Sequence, residues 1–464
     1  MAKTTTERLR DYLAQLPPKA QALLMREFER AIERGEDAAV ATLVLGELRK
    51  IARGPEADLT ARAEDGMRLL FRPLEPFLVD GNAGVRPGQI RRSSLAPVWQ
   101  WLCREGAPDA ARAFEAALTQ AASRPSTSDA THPVHAFQSA AVEAIDAVLG
   151  VAGDGRRGLP RLGSPAAIED LPGIGTVLRA REALDALNAR LQGTLRSFDQ
   201  SQIASVNGAL NNPQLQARQV LPFALSIVIS RLASPWQIIR LAIAAAGSDD
   251  EIRVAATSYG VAVTMAIHDL AQVAAGLRAD IKRGRFADVL DQLKTVHDGI
   301  RGLRTELDIR NDSAWGRQLA AIRVDISNAL QVEIDSVPGR VRRLLRQRPD
   351  KDISATSRLD QIEVDETAAL IGFVAVCRTY ASELAINEVT LRSFSDLQHY
   401  LEQSTEALVE SLRGASSKTL AFRHMQAKAA IRFCDVVFGH DYASLMERAA
   451  ESALSGERRS ARAS

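Results

Sequence analysis

Two histidines and one aspartate in the middle of the chain are residue types that can bind a catalytic metal ion. His268 and Asp269 are adjacent in the segment IHDLAQV, and His297 follows in LKTVHDGI. Imidazole and carboxylate groups are ligands for divalent transition metals, and a metal-bound water is a strong nucleophile at neutral pH. These three residues therefore indicate a hydrolytic metal site as one hypothesis.

The His-Asp pair resembles that of the HD-domain metal-dependent phosphohydrolases. Val273 matches the valine that closes this segment in the subfamily that hydrolyses cyclic dinucleotides. The resemblance implies an all-α fold with one or two metal ions, and it implies His268, Asp269 and His297 as metal ligands. The family's upstream histidine has no counterpart close to the pair. The alternative is that His268 is a structural histidine of a core helix, with Asp269 toward solvent.

A Pro-Gly segment earlier in the chain resembles a DNA-binding turn. Residues 171–175 (LPGIG) look like the hairpin of the helix-hairpin-helix motif, whose glycines let backbone N–H groups approach a DNA phosphate. The resemblance implies Gly173, Gly175 and Arg179 as phosphate contacts, with weak binding and no sequence preference. The alternative is a simple Pro-Gly turn before a helix that starts at Thr176.

Basic residues are concentrated in the segment 340–351, RVRRLLRQRPDK. A short basic amphipathic segment of this kind can dock on an acidic protein or an anionic membrane surface. The residues predicted to bind a partner are Arg340, Arg342, Arg343, Arg346 and Arg348. The alternative is a solvated helix face whose charges meet nearby carboxylates, here Asp350 and Asp352.

The most apolar part of the chain, 219–281, predicts the centre of a helical core. Prolines and Gly247 divide it into three helices, and residues 248–251 form a capping box at the start of the third. Its longest uncharged run, 219–230, is shorter than the roughly 20 residues that a bilayer span needs. We therefore predict buried core helices and no transmembrane segment.

Two later segments carry apolar residues at alternating spacings of three and four, as coiled coils do. The first set is Leu293, Val296, Ile300, Leu303 and Leu307, and the second is Leu319, Ile322, Ile326, Leu330 and Ile334. Two such helices joined by a short polar turn predict an antiparallel hairpin. We expect self-association or a stable partner through helices 285–345.

Changes in composition along the chain predict its domains. Residues 1–121 form an N-terminal domain of short helices, 122–134 are a linker, 135–455 form a C-terminal helical bundle around the apolar centre 219–281, and 456–464 are a frayed basic tail. No segment alternates apolar and polar residues as a half-buried strand does. The predicted fold class is all-α: an irregular multi-helix bundle with a smaller N-terminal helical domain.

The composition is that of a globular protein, with 464 residues of which 46% are hydrophobic and 25% charged. A formal net charge of +1 gives no electrostatic reason to expect nucleic acid as the main partner. Cys103, Cys377 and Cys434 are far apart, and the N-terminus has no apolar segment of signal-peptide length. We therefore expect a reducing, cytoplasmic compartment. The excess of arginine over lysine suits a GC-rich bacterial genome.

No spacing in the chain matches a phosphate-binding loop, HExxH, CxxC or GxSxG. We therefore predict no catalytic residue and no cofactor, although an enzyme whose site is assembled from distant helices would look the same in sequence. The favoured hypothesis is a non-catalytic cytoplasmic interaction or scaffold module that works through amphipathic helix faces. Its expected partner is another protein or a second copy of the chain. The phosphohydrolase and the DNA-binding module stay as alternatives.

Overall fold

The structure is a computed structural model that describes most of the chain, and it is all-α as predicted. The described residues are 66–81, 85–123, 131–151, 162–191, 193–354, 356–384 and 386–463, together with the separate positions 12–13, 16, 20, 24, 28, 44–45 and 48. The described part contains a single two-stranded sheet, in which Leu78–Val79 (β1) and Ile90–Arg91 (β2) pair in parallel.

The chain divides into two compact units. The first unit takes the chain up to Ala83 and from Ile90 to Arg181; the second takes the short segment 84–89 and the chain from Glu182 onward. This division differs from the predicted boundary, because the helices on both sides of the predicted linker 122–134 belong to the first unit.

The first unit consists of short helices around an aromatic core. Its helices are α1 (Leu95–Trp101), α2 (Pro108–Ser123), α3 (Thr131–Val151) and the part of α4 (Pro165–Arg190) up to Arg181, with 3-10 turns at Arg72–Phe77 and Arg92–Ser94 and a π-helical turn at Leu102–Gly106. The rings of Trp99, Phe114 and Phe137 lie 5.3–6.5 Å apart between centroids. One ring comes from each of α1, α2 and α3, so this cluster joins α2 to α3. Among the separate N-terminal positions, Leu13, Val44 and Leu48 form a small apolar cluster.

A buried carboxylate connects α4 to the strand segment of the first unit. Asp170 accepts hydrogen bonds from the Arg91 backbone N–H at 3.0 Å, from the Arg91 guanidinium at 3.1 Å and from the Ser94 hydroxyl at 2.7 Å. Because a buried carboxylate costs free energy unless its oxygens are satisfied, these three bonds make its burial tolerable.

The second unit is a larger helical bundle. Its helices are α5 (Gln200–Leu210), α6 (Pro213–Gln216), α7 (Leu221–Ile229), α8 (Ile239–Ala246), α9 (Glu251–Ala255), α10 (Val261–Lys282), α11 (Phe286–Glu306), α12 (Ala314–Leu345), α13 (Gln361–Tyr380), α14 (Asn387–Ser411), α15 (Leu420–Phe438) and α16 (His440–Ala463). The helix α16 includes residues 456–463 of the predicted basic tail.

The helix α10 lies at the centre of this bundle and packs against α8, α11 and α12. Gly299 permits the close approach of α11, since a Cβ at that position would lie 2.4 Å from Leu270 Cδ2 of α10. The side chains of Met265, Leu270 and Leu277 are buried in these contacts. The predicted apolar centre, 219–281, contains this helix.

Length alone does not separate α10 from a membrane-spanning helix. In the described part of the chain, Ser258–Lys282 is the one helix long and apolar enough to cross a bilayer. The apolar helices were predicted to be too short to span a bilayer, and this is wrong for α10, whose 22 residues extend about 33 Å. Half of its most apolar window is buried, and core helices of water-soluble proteins pass the same test. Burial under its neighbours, not length, supports its assignment to the core.

The helices α11 and α12 do not form the predicted antiparallel hairpin. Each packs on α10, and both also pack on α13. All ten apolar residues of the two heptad-like sets are buried in this bundle. The periodicity therefore identified the buried faces correctly, but it did not identify the helices that cover them.

The third predicted helix of the apolar segment, which was expected to continue from the capping box at 248–251, is interrupted. Asp250 is the N-cap of α9, accepting from the Arg253 N–H at 2.9 Å, while the Glu251 carboxylate accepts from the backbone N–H of Arg310 at 2.8 Å instead of closing a capping box. The chain then forms a 3-10 turn at Ser258–Gly260 before α10 begins. A long-range contact thus outcompetes the local one that the sequence suggested.

Candidate functional site

The predicted metal ligands lie on two helices and have other partners. His268 and Asp269 are on α10, and His297 is on α11. The Asp269 carboxylate is bound by the guanidinium of Arg86, with Nε 2.6 Å from Oδ1. The sequence-based alternative that Asp269 points to solvent is therefore wrong. Burial raises the pKa of Asp269, and the positive charge of Arg86 opposes that shift.

Arg86 is held by further contacts in the second unit, and we call this set of contacts the Arg86 anchor. The side chain is only 6% exposed, and its Nη1 donates to the Ser226 hydroxyl of α7 at 2.8 Å. That hydroxyl lies 2.9 Å from the Gly88 carbonyl oxygen, to which it donates. Gly88 has φ +80°, and a Cβ there would lie 2.2 Å from the Pro222 carbonyl oxygen. The segment 85–89 is thus fixed by a buried charge and by a close backbone approach.

His297 contributes to packing in the bundle. It is 9% exposed, its Nδ1 lies 3.0 Å from the Asp298 carboxylate, and its ring lies 4.9 Å from the ring of Tyr380 between centroids. Within the described residues, no group of three His, Cys, Asp or Glu side chains could hold a metal ion. The structure therefore does not bring the three predicted ligands together as a metal site.

The predicted DNA-binding hairpin is absent, because residues 171–175 lie inside the continuous helix α4. Leu171 and Ile174 are fully buried, and Gly175 packs against α3, where a Cβ would lie 2.9 Å from Ile145 Cγ2. Gly173 is likewise helical, so its N–H group is not presented by a turn. Arg179 forms an ion pair with Asp146. Burial of the apolar face outweighs the helix-breaking tendency of Pro172, which is exposed.

The basic segment forms the C-terminal end of α12 and the residues just after it. Two of its five predicted arginines face carboxylates of α13: Arg340 lies 4.0 Å from Glu366, and Arg343 donates to Glu363 at 2.9 Å. The predicted partner Asp350 pairs instead with Arg423 of α15. The alternative of a neutralised helix face is therefore correct for two arginines, although the carboxylates that neutralise them are not the predicted ones.

The remaining cations of this segment have no carboxylate partner within 4 Å in the described part of the chain. We call Arg342, Arg346, Arg348 and Lys351 the basic patch; all four are exposed. The guanidinium carbons of Arg342 and Arg348 lie 5.7 Å and 5.3 Å from the ring centroids of Tyr400 and Phe422. Stacking of this kind orients a guanidinium and leaves its N–H groups available to a ligand.

The backbone beneath the basic patch is held in place by α15. The Gln426 side chain is buried and donates to the carbonyl oxygens of Leu344 at 3.0 Å and Arg346 at 3.1 Å. These carbonyls end α12 and have no partner within the helix, so Gln426 caps them. The patch is therefore presented on a fixed backbone, and its positive charge also interacts favourably with the helix C-terminus.

The Arg86 anchor was not found from the sequence. Arg86 and Asp269 are 183 positions apart, and Arg86 lies in a Gly/Asn/Pro loop that resembles any exposed turn. The only local indication was glycine at position 88, which has the positive φ that favours this residue.

The geometry of the second unit thus offers a structural ion pair in the core and an unneutralised basic patch on the surface. Comparison of the chain with protein-family models, with curated proteins and with solved structures gives no match.

Proposed function

We propose that this chain is a non-catalytic cytoplasmic interaction module whose basic patch docks on an acidic surface of a partner protein. The observation that carries the proposal is that Arg342, Arg346, Arg348 and Lys351 are exposed and lie beyond 4 Å of any carboxylate among the described residues. A guanidinium fork matches a carboxylate with two parallel hydrogen bonds, so several of them together select an acidic partner.

An acidic protein fits this surface better than a membrane does. A helix that binds in the membrane interface inserts an apolar face between the lipids. The leucines between the arginines, Leu344 and Leu345, are 4% and 1% exposed because they face the bundle. The nearest exposed large apolar residues in sequence are Val332 and Ile362, outside the segment. The patch therefore offers charge without an apolar face, which favours carboxylates on a protein.

The proposal is tested by capturing the partner of the tagged full-length chain from its own cell extract with mild crosslinking. We expect one protein in stoichiometric amount, and we expect it to be lost from the triple variant Arg342→Glu, Arg346→Glu, Arg348→Glu. With the captured protein purified, the variant should slow association by about tenfold or more at low salt, because exposed charges act mainly on the association rate.

The matched control has the same change of net charge at exposed positions of the second unit. It carries Arg218→Glu, Lys294→Glu and Arg301→Glu, and we expect it to retain the partner. Loss of the partner from both triple variants would show a general charge effect and contradict docking at the patch. Recovery of the chain alone from the extract would also contradict the proposal. Binding of the wild type to vesicles of phosphatidylserine, with no protein captured, would assign the patch to a membrane instead.

A further inference from the structure

The last two helices of the second unit leave an open groove between them. The helices α15 and α16 run antiparallel on either side of Gly439, which has φ +90°. The groove has a volume of about 710 Å³. Its floor is made of small or apolar side chains: Ala427, Ile431, Ala443, Ala450 and Leu454. Small residues on a floor of this kind let another helix approach closely.

The two walls of the groove carry opposite charges. On the α15 wall, Arg432 is already paired with Asp365 of α13. Asp435 also lines this wall, next to the junction of the two helices, where it lies 3.5 Å from His440. Burial together with the neighbouring Lys428 lowers the pKa of His424. Lys428 is therefore the cation that this wall presents at neutral pH. On the α16 wall, Glu447 and Glu451 are one helical turn apart on the same face. These three charged side chains are exposed, and none has an ion-pair partner within 4 Å in the described part of the chain.

We propose that this groove is the surface through which two copies of the chain associate. In a two-fold symmetric dimer the same patch meets itself, so the interface must be self-complementary. A two-fold axis parallel to the helices places α15 of each copy over α16 of the other. Each Lys428 then faces Glu447 and Glu451 of the partner subunit, and the four helices form an antiparallel bundle. The other two-fold arrangement, with its axis perpendicular to the helices, would place like charges together.

The size of the surface suits a reversible dimer. The 19 residues of α15 extend about 28 Å. Two adjacent helices about 10 Å wide present about 560 Å² per copy, or about 1,100 Å² in total, which is near the lower limit for a specific interface. The inference goes beyond the proposed function, because it concerns different residues and a different partner; either can fail without the other.

The test uses two variants of the full-length chain, each with a groove of one charge. Lys428→Glu makes both walls acidic, and Glu447→Lys with Glu451→Lys makes both walls basic. Sedimentation equilibrium is expected to show a wild-type dimer and a dimer dissociation constant at least about 100-fold weaker for each variant alone, because like charges then face each other. An equimolar mixture of the two variants is expected to form heterodimers, since an acidic groove then meets a basic one. Lys294→Glu, the same change at an exposed site on α11, is expected to leave the dimer unchanged.

The mixture distinguishes dimerisation from damage to the fold, because an unfolded variant cannot be rescued by its counterpart. A wild type that stays monomeric at every concentration would overturn the inference. So would a dimer that both variants leave intact, or two monomeric variants that fail to combine. None of these substitutions touches the basic patch, so capture of the acidic partner is scored separately in the same proteins.

Discussion

Arg86 and Asp269 form an ion pair in which the arginine side chain is 6% exposed and the aspartate side chain 25% exposed. Removing the guanidinium leaves a carboxylate that is largely buried and has lost its cation. We expect Arg86→Ala to lower the free energy of unfolding by about 3 kcal/mol, which is typical when one partner of a buried pair is removed. Guanidinium chloride denaturation of the full-length wild type and variant measures this loss. The control is Arg343→Ala at the exposed pair with Glu363, where we expect a loss of about 1 kcal/mol or less. Equal losses at the two sites would contradict a special role for the anchor.

Two glycines are expected to respond to alanine with opposite signs. At Gly88 the backbone has φ +80° and a Cβ would lie 2.2 Å from a carbonyl oxygen, so Gly88→Ala should lower the free energy of unfolding by about 2 kcal/mol or more. Gly339 is inside α12, and a Cβ added there would have no neighbouring atom within 4 Å. Gly339→Ala should therefore raise that free energy by about 0.5–1 kcal/mol. Thermal unfolding of both variants tests the pair, and a stabilising Gly88→Ala would show that the segment is not held as described.

At the scale of the helices, the sequence predicted which faces are buried better than it predicted their neighbours. All ten apolar residues of the two heptad-like sets are buried, as their spacing predicted. The spacing is informative because apolar residues that recur every three or four positions lie on one face of a helix. That α10 covers both helices could not be predicted, because it depends on contacts between distant segments. The candidate site followed the same rule. The position of the basic segment came from composition, but the arginines left unpaired depend on where α13 places Glu363 and Glu366.

The continuity of α4 through Pro172 gives a prediction for a whole helix. An internal proline has no N–H to donate to the carbonyl four residues earlier, and its ring crowds that carbonyl. Pro172 is exposed, so Pro172→Ala loses little packing and should raise the free energy of unfolding by about 1–3 kcal/mol. Thermal unfolding followed by circular dichroism measures this change. The control is Pro165→Ala at the first residue of the same helix, where no N–H is needed and we expect almost no effect. Destabilisation by Pro172→Ala would contradict a continuous helix and indicate a turn at residue 172.

At the scale of the molecule, the two units are not simply successive parts of the sequence. The segment 84–89 belongs to the second unit, although the chain before and after it belongs to the first. Composition suggested a linker at 122–134, since small and polar residues are common in linkers. Composition gave no indication that the segment 84–89 supplies the arginine that pairs with the Asp269 carboxylate of α10. A fragment cut at the boundary between the units, 182–464, therefore contains Asp269 without Arg86.

This separation predicts that one substitution has opposite effects in two lengths of the same protein. In the full chain, Asp269→Asn removes the anion that Arg86 requires, and we expect the free energy of unfolding to fall by about 2 kcal/mol. In the fragment 182–464 the carboxylate has no Arg86 to pair with, so the same change should be neutral or stabilising by about 1 kcal/mol. Chemical denaturation of both lengths, once circular dichroism shows that the fragment is helical, gives the comparison. Asp291→Asn at an exposed position of α11 should change neither. An equal loss of unfolding free energy from Asp269→Asn in both lengths would mean that Asp269 stabilises the second unit without Arg86. That result would contradict the stabilising role of the ion pair with Arg86.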